Sequence, residues 1–211
     1  MEKKEIAIVL SEVTLMGELT IPENAIGIVV FSHGSGSSRL SPRNLYVSEL
    51  IQNNKMGTLL FDLLTEEEDE HYENRFNIDL LTQRLIEITG WLKSNNSTKD
   101  FPLAYFGAST GAASALRAAA HFKKQIKAVV SRGGRPDLAL NELRRVTAPT
   151  LLIVGQLDVD VIEMNKEAYV ALKTTKDIKI ISGSTHLFEE PGKLQEVAEL
   201  AISWYKKYLL L

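Results

Sequence analysis

The sequence predicts an α/β fold: about eight strands in a mainly parallel sheet, with an antiparallel N-terminal edge and helices on both faces. From residue 26 onward, short β-branched runs alternate with segments of helical periodicity, which requires crossover connections between parallel strands. Only Ser11 and Glu12 separate the first two predicted strands, so we expect these to form an antiparallel hairpin at the sheet edge. The 211 residues show no linker or compositional break, which predicts a single domain over 1–211.

The predicted strands are short and mostly apolar, as expected where helices cover both faces of a sheet. They span residues 5–10, 13–20, 26–32, 58–62, 103–106, 128–131, 150–154 and 178–181.

Four helices have clear signals in the sequence. Ser41 and Pro42 are a good N-cap and first helical residue, and an apolar face follows them. Apolar residues then step by three and four positions over 78–92. An alanine-rich helical segment covers 112–122, and a last apolar stripe covers 194–208. Each stripe is wide enough to cover part of a sheet.

Composition excludes several classes of function. The chain has no cysteine, which removes disulfides, thiolate metal sites and a thiol nucleophile. With 24 basic and 27 acidic residues the formal charge is −3, so nucleic acid is not an expected partner. No apolar segment approaches the ~20 residues that a membrane helix needs, and no signal peptide is recognisable. We therefore expect a cytoplasmic protein without a membrane partner.

A nucleophile motif follows the fifth predicted strand. Gly107-Ala108-Ser109-Thr110-Gly111 fits G-x-S-x-G between a strand and a helix, where a sharp turn presents the serine hydroxyl above the sheet. The alternative is a glycine-rich turn beside a buried helix. Since a serine hydroxyl is a weak nucleophile, it needs a base that a carboxylate orients.

The base and the acid are expected in loops that follow later strands. His186 comes directly after the eighth strand and is the predicted base. Asp158 follows the seventh strand and is the predicted acid, with Asp160 as a rival that could instead cap the next helix. The order Ser109, Asp158, His186 is that of α/β-hydrolases.

The other histidines have simpler explanations. We expect His33 to make structural hydrogen bonds beneath the loop after the third strand, and His121 to lie at the surface near a helix end. His71 belongs to the acidic run 66–73, which follows a strand and is expected to be a solvated loop. Its spacing fits no metal site, so we expect no metal and no cofactor.

Backbone amides are predicted to stabilise the oxyanion that acyl transfer creates. One is the N–H of Thr110, directly after the nucleophile. The other is the N–H of Ser35, in a glycine-containing loop after the third strand. Arg132 and Arg135 follow the sixth strand and could bind a substrate carboxylate or phosphate, or equally form salt bridges to the acidic run 66–73.

With these residues the chain resembles the α/β-hydrolase superfamily, within it the small dienelactone-hydrolase-like branch, over about residues 15–208. Ser32-His33-Gly34-Ser35-Gly36-Ser37-Ser38-Arg39 and Leu60-Phe61-Asp62-Leu63-Leu64-Thr65 resemble a subgroup of small bacterial hydrolases. Members of that subgroup are associated with phosphoribosyltransferase-like domains. The family's nucleophile, acid and base correspond to Ser109, Asp158 and His186.

One departure limits what the resemblance implies. True dienelactone hydrolases use a cysteine nucleophile, whereas this chain offers Ser109, so the fold and mechanism class carry over but a dienelactone substrate does not. Only residues 136–148 separate the sixth and seventh strands, which leaves no room for the lid of many lipases.

The main hypothesis is therefore a serine esterase that cleaves small soluble carboxylic esters through an acyl-enzyme. The alternative is a non-catalytic α/β-hydrolase-fold module that binds a phosphoribosyltransferase-like partner.

Overall fold

The eight predicted strands form one sheet in the structure, a computed structural model that describes residues 2–210; the predicted domain 1–211 extends one residue further at each end. The strand order is β1-β2-β4-β3-β5-β6-β7-β8. β1 and β2 form the predicted antiparallel hairpin, β2 pairs antiparallel with β4, and all pairs from β3 to β8 are parallel. The strands are Glu2–Val9, Thr14–Ile21, Ile28–Ser32, Gly57–Phe61, Leu103–Ala108, Ile126–Arg132, Thr150–Gly155 and Lys176–Ile181. The predicted α/β architecture is confirmed.

Helices cover both faces of the sheet. They are α1 (Pro42–Asn53), α2 (Glu66–Glu70), α3 (Ile78–Ser94), α4 (Thr110–Phe122), α5 (Leu140–Leu143), α6 (Val159–Ala171) and α7 (Lys193–Leu209). Side chains alternate along β3: Val30 joins the core under α3, α4 and α6, whereas Phe31 joins the core under α1 and α7. The sheet thus separates two apolar cores, and the predicted alternation of strand and helix places one on each face.

The acidic run differs from the prediction of a loop. Glu66–Glu70 form a short helix, because Thr65 and Glu68 make a reciprocal capping box. Four acidic residues in its first turn also suit the positive end of the helix dipole. Arg84 on α3 binds Glu68 at 2.6 Å and anchors the run to the core.

The strands β5 to β8 end on the same edge of the sheet, because they are parallel. Residues 133–149 connect β6 to β7 through one 3₁₀ turn (Pro136–Ala139) and α5, so no lid domain interrupts this edge. The loops after β5, β6, β7 and β8 can therefore meet above it. Within residues 2–210, no helix is long and apolar enough to span a membrane.

Candidate active site

Ser109 occupies a strained turn between β5 and α4. Its φ of 50° and ψ of −122° lie in a region that residues with a side chain rarely adopt. Such strain costs about 1–3 kcal/mol and persists only where surrounding contacts impose it. Here the N–H of Ser109 donates to the Arg132 carbonyl at 3.2 Å, and the Ser109 carbonyl accepts from the N–H of Arg135 at 3.0 Å. These bonds fix the turn that presents the hydroxyl.

The two glycines of the motif are required by close approach of the backbone. A Cβ on Gly107 would lie 2.5 Å from the Cα of Ala112, and one on Gly111 would lie 2.2 Å from the carbonyl oxygen of Ser32. No side chain fits at either distance. The glycines therefore let α4 begin directly against β5 and the end of β3, as a nucleophile elbow requires.

His186 and Asp158 are in direct contact. Nδ1 of His186 lies 2.6 Å from Oδ2 of Asp158, and the side chains are 37% and 17% exposed. With Nδ1–H donating to the carboxylate, Nε2 is the ring nitrogen left to accept a proton. Asp158 stands at the N-cap position of α6 but makes no capping bond, and Asp160 lies inside the helix. The alternative in which Asp160 caps α6 is therefore wrong.

Gly133 is a neighbour of both His186 and Ser109. An ideal Cβ on Gly133 would lie 3.4 Å from both Cε1 and Nδ1 of His186, so the imidazole rests on this glycine. Ala108 and Arg132 are partners across β5 and β6, which makes Ser109 and Gly133 neighbours at the ends of adjacent strands. The predicted nucleophile and base thus border the same residue.

The two predicted oxyanion donors lie together. The N–H of Ser35 donates to Oγ1 of Thr110 at 2.8 Å, which joins the loop after β3 to the first residue of α4. The N–H of Thr110 is one of the four that an α-helix leaves without an internal partner. In this structure the Thr110 hydroxyl accepts the hydrogen bond of the Ser35 N–H, so an oxyanion would have to displace the hydroxyl as acceptor.

His33 supports this loop from below. Its Nδ1 lies 3.0 Å from the Gly34 carbonyl, and its Nε2 accepts the N–H of Leu63 at 3.1 Å. Burial lowers the pKa of His33, because the charged imidazole loses its contact with water. The hydrogen bond to Gly34 and the carboxylates of Asp62 and Asp69 favour the charged form, but their effect is smaller than that of burial. The ring is therefore neutral, in keeping with the structural role expected from the sequence.

The two predicted substrate arginines differ in surroundings. Arg135 makes a bidentate ion pair with Asp137, at 2.9 and 2.8 Å. Arg132 is 6% exposed, and its Nη2 lies 3.4 Å from Oδ1 of Asn44 on α1. In the described chain neither arginine pairs with the acidic run 66–73, so the salt-bridge alternative is wrong.

Comparisons with known proteins identify the family. Residues 44–209 match the dienelactone hydrolase family. The crystal structure of a dienelactone hydrolase from Anabaena variabilis is 51% identical in sequence, with a TM-score of 0.95 and 98% of each chain covered. This chain belongs to the dienelactone hydrolase family.

Two further proteins resemble this family member, one in sequence and one in fold alone. A putative phosphoribosyl transferase of Mycobacterium tuberculosis is 52% identical over 206 residues, which are 98% of this chain but 46% of the relative. The chain therefore spans about half the length of that protein. An esterase from Pyrococcus furiosus has a TM-score of 0.78, with 99% of this chain and 93% of the esterase covered. At 20% identity that likeness is one of fold alone.

Sequence reasoning about this family member missed Glu190. Its Oε1 accepts the N–H and the hydroxyl of Thr185 at 3.0 and 2.5 Å, and its Oε2 accepts the Ser184 hydroxyl at 3.1 Å. The Thr185 hydroxyl contributes most to a Glu190 pKa of about 2. The carboxylate thus holds the two residues that precede His186. Only the four-residue spacing from His186 could have suggested it.

The described part of the chain contains no cluster of histidine and acidic side chains suited to a metal ion.

Proposed function

We propose that this member of the dienelactone hydrolase family is a cytoplasmic serine hydrolase that cleaves small soluble carboxylic esters. The observation that carries the proposal is the 2.6 Å contact between His186 and Asp158, together with a serine held in a strained turn. Family membership supports hydrolysis, and these residues supply a nucleophile, a base and an orienting acid.

Each residue has one role in the proposed reaction. Ser109 Oγ attacks the ester carbonyl while Nε2 of His186 takes its proton, and Asp158 stabilises the imidazolium. The N–H groups of Thr110 and Ser35 bind the oxyanion. The tetrahedral intermediate expels the alcohol, which leaves with the proton from His186. Water then attacks the acyl-enzyme by the same route and regenerates Ser109.

The connection after β6 favours a small substrate. Residues 133–149 form only a 3₁₀ turn and one short helix, so this connection supplies nothing comparable to a lipase lid. Exposed apolar side chains near the site, such as Leu157 and Leu187, suit a short acyl or alkyl group more than a long lipid chain.

The test combines labelling with kinetics. A fluorophosphonate probe should label the wild type at Ser109, and Ser109→Ala should lose labelling and at least ~10⁴-fold in kcat on p-nitrophenyl acetate or butyrate. Ser97→Ala is the matched control, because Ser97 is exposed in a turn remote from the site. Labelling that persists in Ser109→Ala, or hydrolysis at the wild-type rate, would overturn the proposal.

A second candidate is the binding module for a phosphoribosyltransferase-like partner. The name and the greater length of the Mycobacterium tuberculosis relative favour it. In that case no ester is cleaved and Ser109 stays unlabelled. A complex with a separately produced phosphoribosyltransferase domain would then form equally well with Ser109→Ala.

A further inference from the structure

Arg132 is a buried arginine beside the candidate active site. It ends β6, and its own carbonyl accepts the N–H of Ser109. Its side chain is on the α1 and α7 face, where Nη2 lies 3.4 Å from Asn44 in the first turn of α1. On the other side, its Cζ lies 5.9 Å from the ring centre of Phe188, two residues after His186. The guanidinium therefore lies between the start of α1 and the loop that carries the predicted base.

Unlike the buried Arg84, Arg132 has no acidic ion-pair partner among residues 2–210. Arg84 is similarly buried, with 4% of its side chain exposed, but it lies 2.6 Å from Glu68 and 4.0 Å from Glu87. For Arg132 no carboxylate lies within ion-pair distance among residues 2–210, and its buried Nε has no hydrogen-bond partner. A buried charge without a counter-charge is unfavourable, so binding of an anion at Arg132 would be favourable.

Arg43 adds to the positive charge at this place. It is the second residue of α1, it raises the potential at Arg132, and its own Nε is also buried without a partner. Its ion-pair partner is Glu189, at 2.6 Å. The Glu189 side chain is 59% exposed, so solvent partly screens its charge. Burial and then Arg43 lower the pKa of Arg132 to about 10, which still leaves it charged at neutral pH.

The net charge around Arg132 indicates the charge of the ligand that it would bind. Two arginines and one glutamate give a net charge of one, and the N-terminus of the twelve-residue α1 adds about half a positive charge. A phosphate monoester carries about −1.5 to −2 at pH 7 and accepts several N–H donors, whereas a carboxylate carries one charge. The excess of about 1.5 charges matches the phosphate better.

We propose that Arg132 and Arg43 form a binding site for a phosphate monoester group of the substrate. This inference rests on the proposed ester hydrolysis and specifies its substrate class. The substrate is a phosphorylated ester whose phosphate lies against α1 while its carbonyl lies at Ser109. The reaction itself is unchanged: the ester bond breaks and the phosphate stays on its carbon.

The first test compares two esters that differ only in the phosphate. We expect kcat/KM for 2-acetoxyethyl phosphate to exceed that for 2-acetoxyethanol by roughly 10- to 100-fold, the value of a charge-assisted hydrogen bond. Arg132→Met should abolish the preference. Arg117→Met, a surface arginine of α4 paired with Asp79, should retain it. A wild type that hydrolyses both esters equally well overturns the phosphate site.

The second test needs no ester hydrolysis. At constant ionic strength, inorganic phosphate should raise the melting temperature of the wild type but not that of Arg132→Met. Monomethyl succinate should act more weakly. No shift with phosphate overturns the site, and a larger shift with monomethyl succinate overturns the phosphate assignment. If the wild type cleaves neither ester but phosphate still stabilises it, the proposed function fails and the anion site stands.

A melting comparison separates ligand binding from a structural role. Arg132→Met removes an uncompensated charge and should leave the melting temperature without ligand equal or higher. Arg84→Met leaves Glu68 without its partner and should lower it. If both variants lose stability alike, Arg132 is part of the core and the proposal is wrong.

Discussion

Gly133 is the residue whose replacement tests the geometry of the site most directly. Its φ is 51°, and a Cβ there would lie 3.1 Å from the carbonyl oxygen of His186 and 3.4 Å from two atoms of its ring. Gly133→Ala therefore introduces both backbone strain and a 3.1 Å contact that shifts the His186 carbonyl, and the imidazole with it, by a few tenths of an ångström. The ring then moves relative to Asp158, from which Nδ1 is 2.6 Å away, and relative to Ser109.

The two effects of Gly133→Ala have different magnitudes. The left-handed conformation costs an alanine about 1–2 kcal/mol, and the reduced freedom of the unfolded chain returns about 0.4–1 kcal/mol, so stability should fall by about 1 kcal/mol. A 1 Å misplacement can cost about 100-fold in rate. We therefore expect kcat/KM on p-nitrophenyl acetate to fall about 10-fold.

Gly183→Ala is the matched control. Gly183 lies in the same loop as His186 and has a φ of 66°, but a Cβ there would meet nothing within 4 Å. It should lose the same ~1 kcal/mol in urea unfolding and keep wild-type kcat/KM. Equal losses of activity in the two variants would mean that strain in the loop, and not contact with the imidazole, controls the rate. Full activity of Gly133→Ala would refute the placement of His186.

Three further variants test the supports of the site. Glu190→Gln weakens the acceptor that holds the loop of His186, so kcat should fall several-fold; because the pKa of Glu190 is about 2, the loss should be constant between pH 5 and 9 in a pH–rate profile. Thr110→Val removes the hydroxyl that an oxyanion must displace from the Ser35 N–H and should raise kcat about fivefold on p-nitrophenyl acetate, whereas Thr110→Ser keeps the hydroxyl and should leave kcat unchanged. Since burial lowers the pKa of His33 below 6.5, the unfolded chain binds the proton more readily, and stability should fall as the pH drops below about 6.5; in His33→Gln urea unfolding should lack this part of the pH dependence.

The elements of this fold are predictable from the sequence because their signals are local. The apolar steps over 78–92 and the Ser41-Pro42 pair need no knowledge of distant residues, and α3 and α1 form where they indicate. The acidic run 66–73 was not predicted as a helix, although the Thr65–Glu68 capping box is a local signal; the contact that anchors the run, with Arg84, is not local, because Arg84 is sixteen residues from Glu68.

The candidate site is predictable only in part, for the same physical reason. Ser109, Asp158 and His186 each follow a strand, and parallel strands deliver such residues to one edge. The sequence around Arg132 does not indicate whether its side chain pairs with a carboxylate, because the residues it contacts come from α1 and from the loop around Phe188.

The surroundings of Arg132 and Arg135 illustrate how this difference affects function. The two arginines are three residues apart and equivalent in sequence terms, yet Arg135 has its counter-ion two residues away at Asp137 while Arg132 is buried without one. A satisfied ion pair contributes little binding energy to a ligand, since the ligand must first displace the carboxylate. An unsatisfied buried guanidinium has no such competitor. Of the two residues, Arg132 is therefore the one whose replacement should change substrate preference, and Arg135→Gln should change it far less.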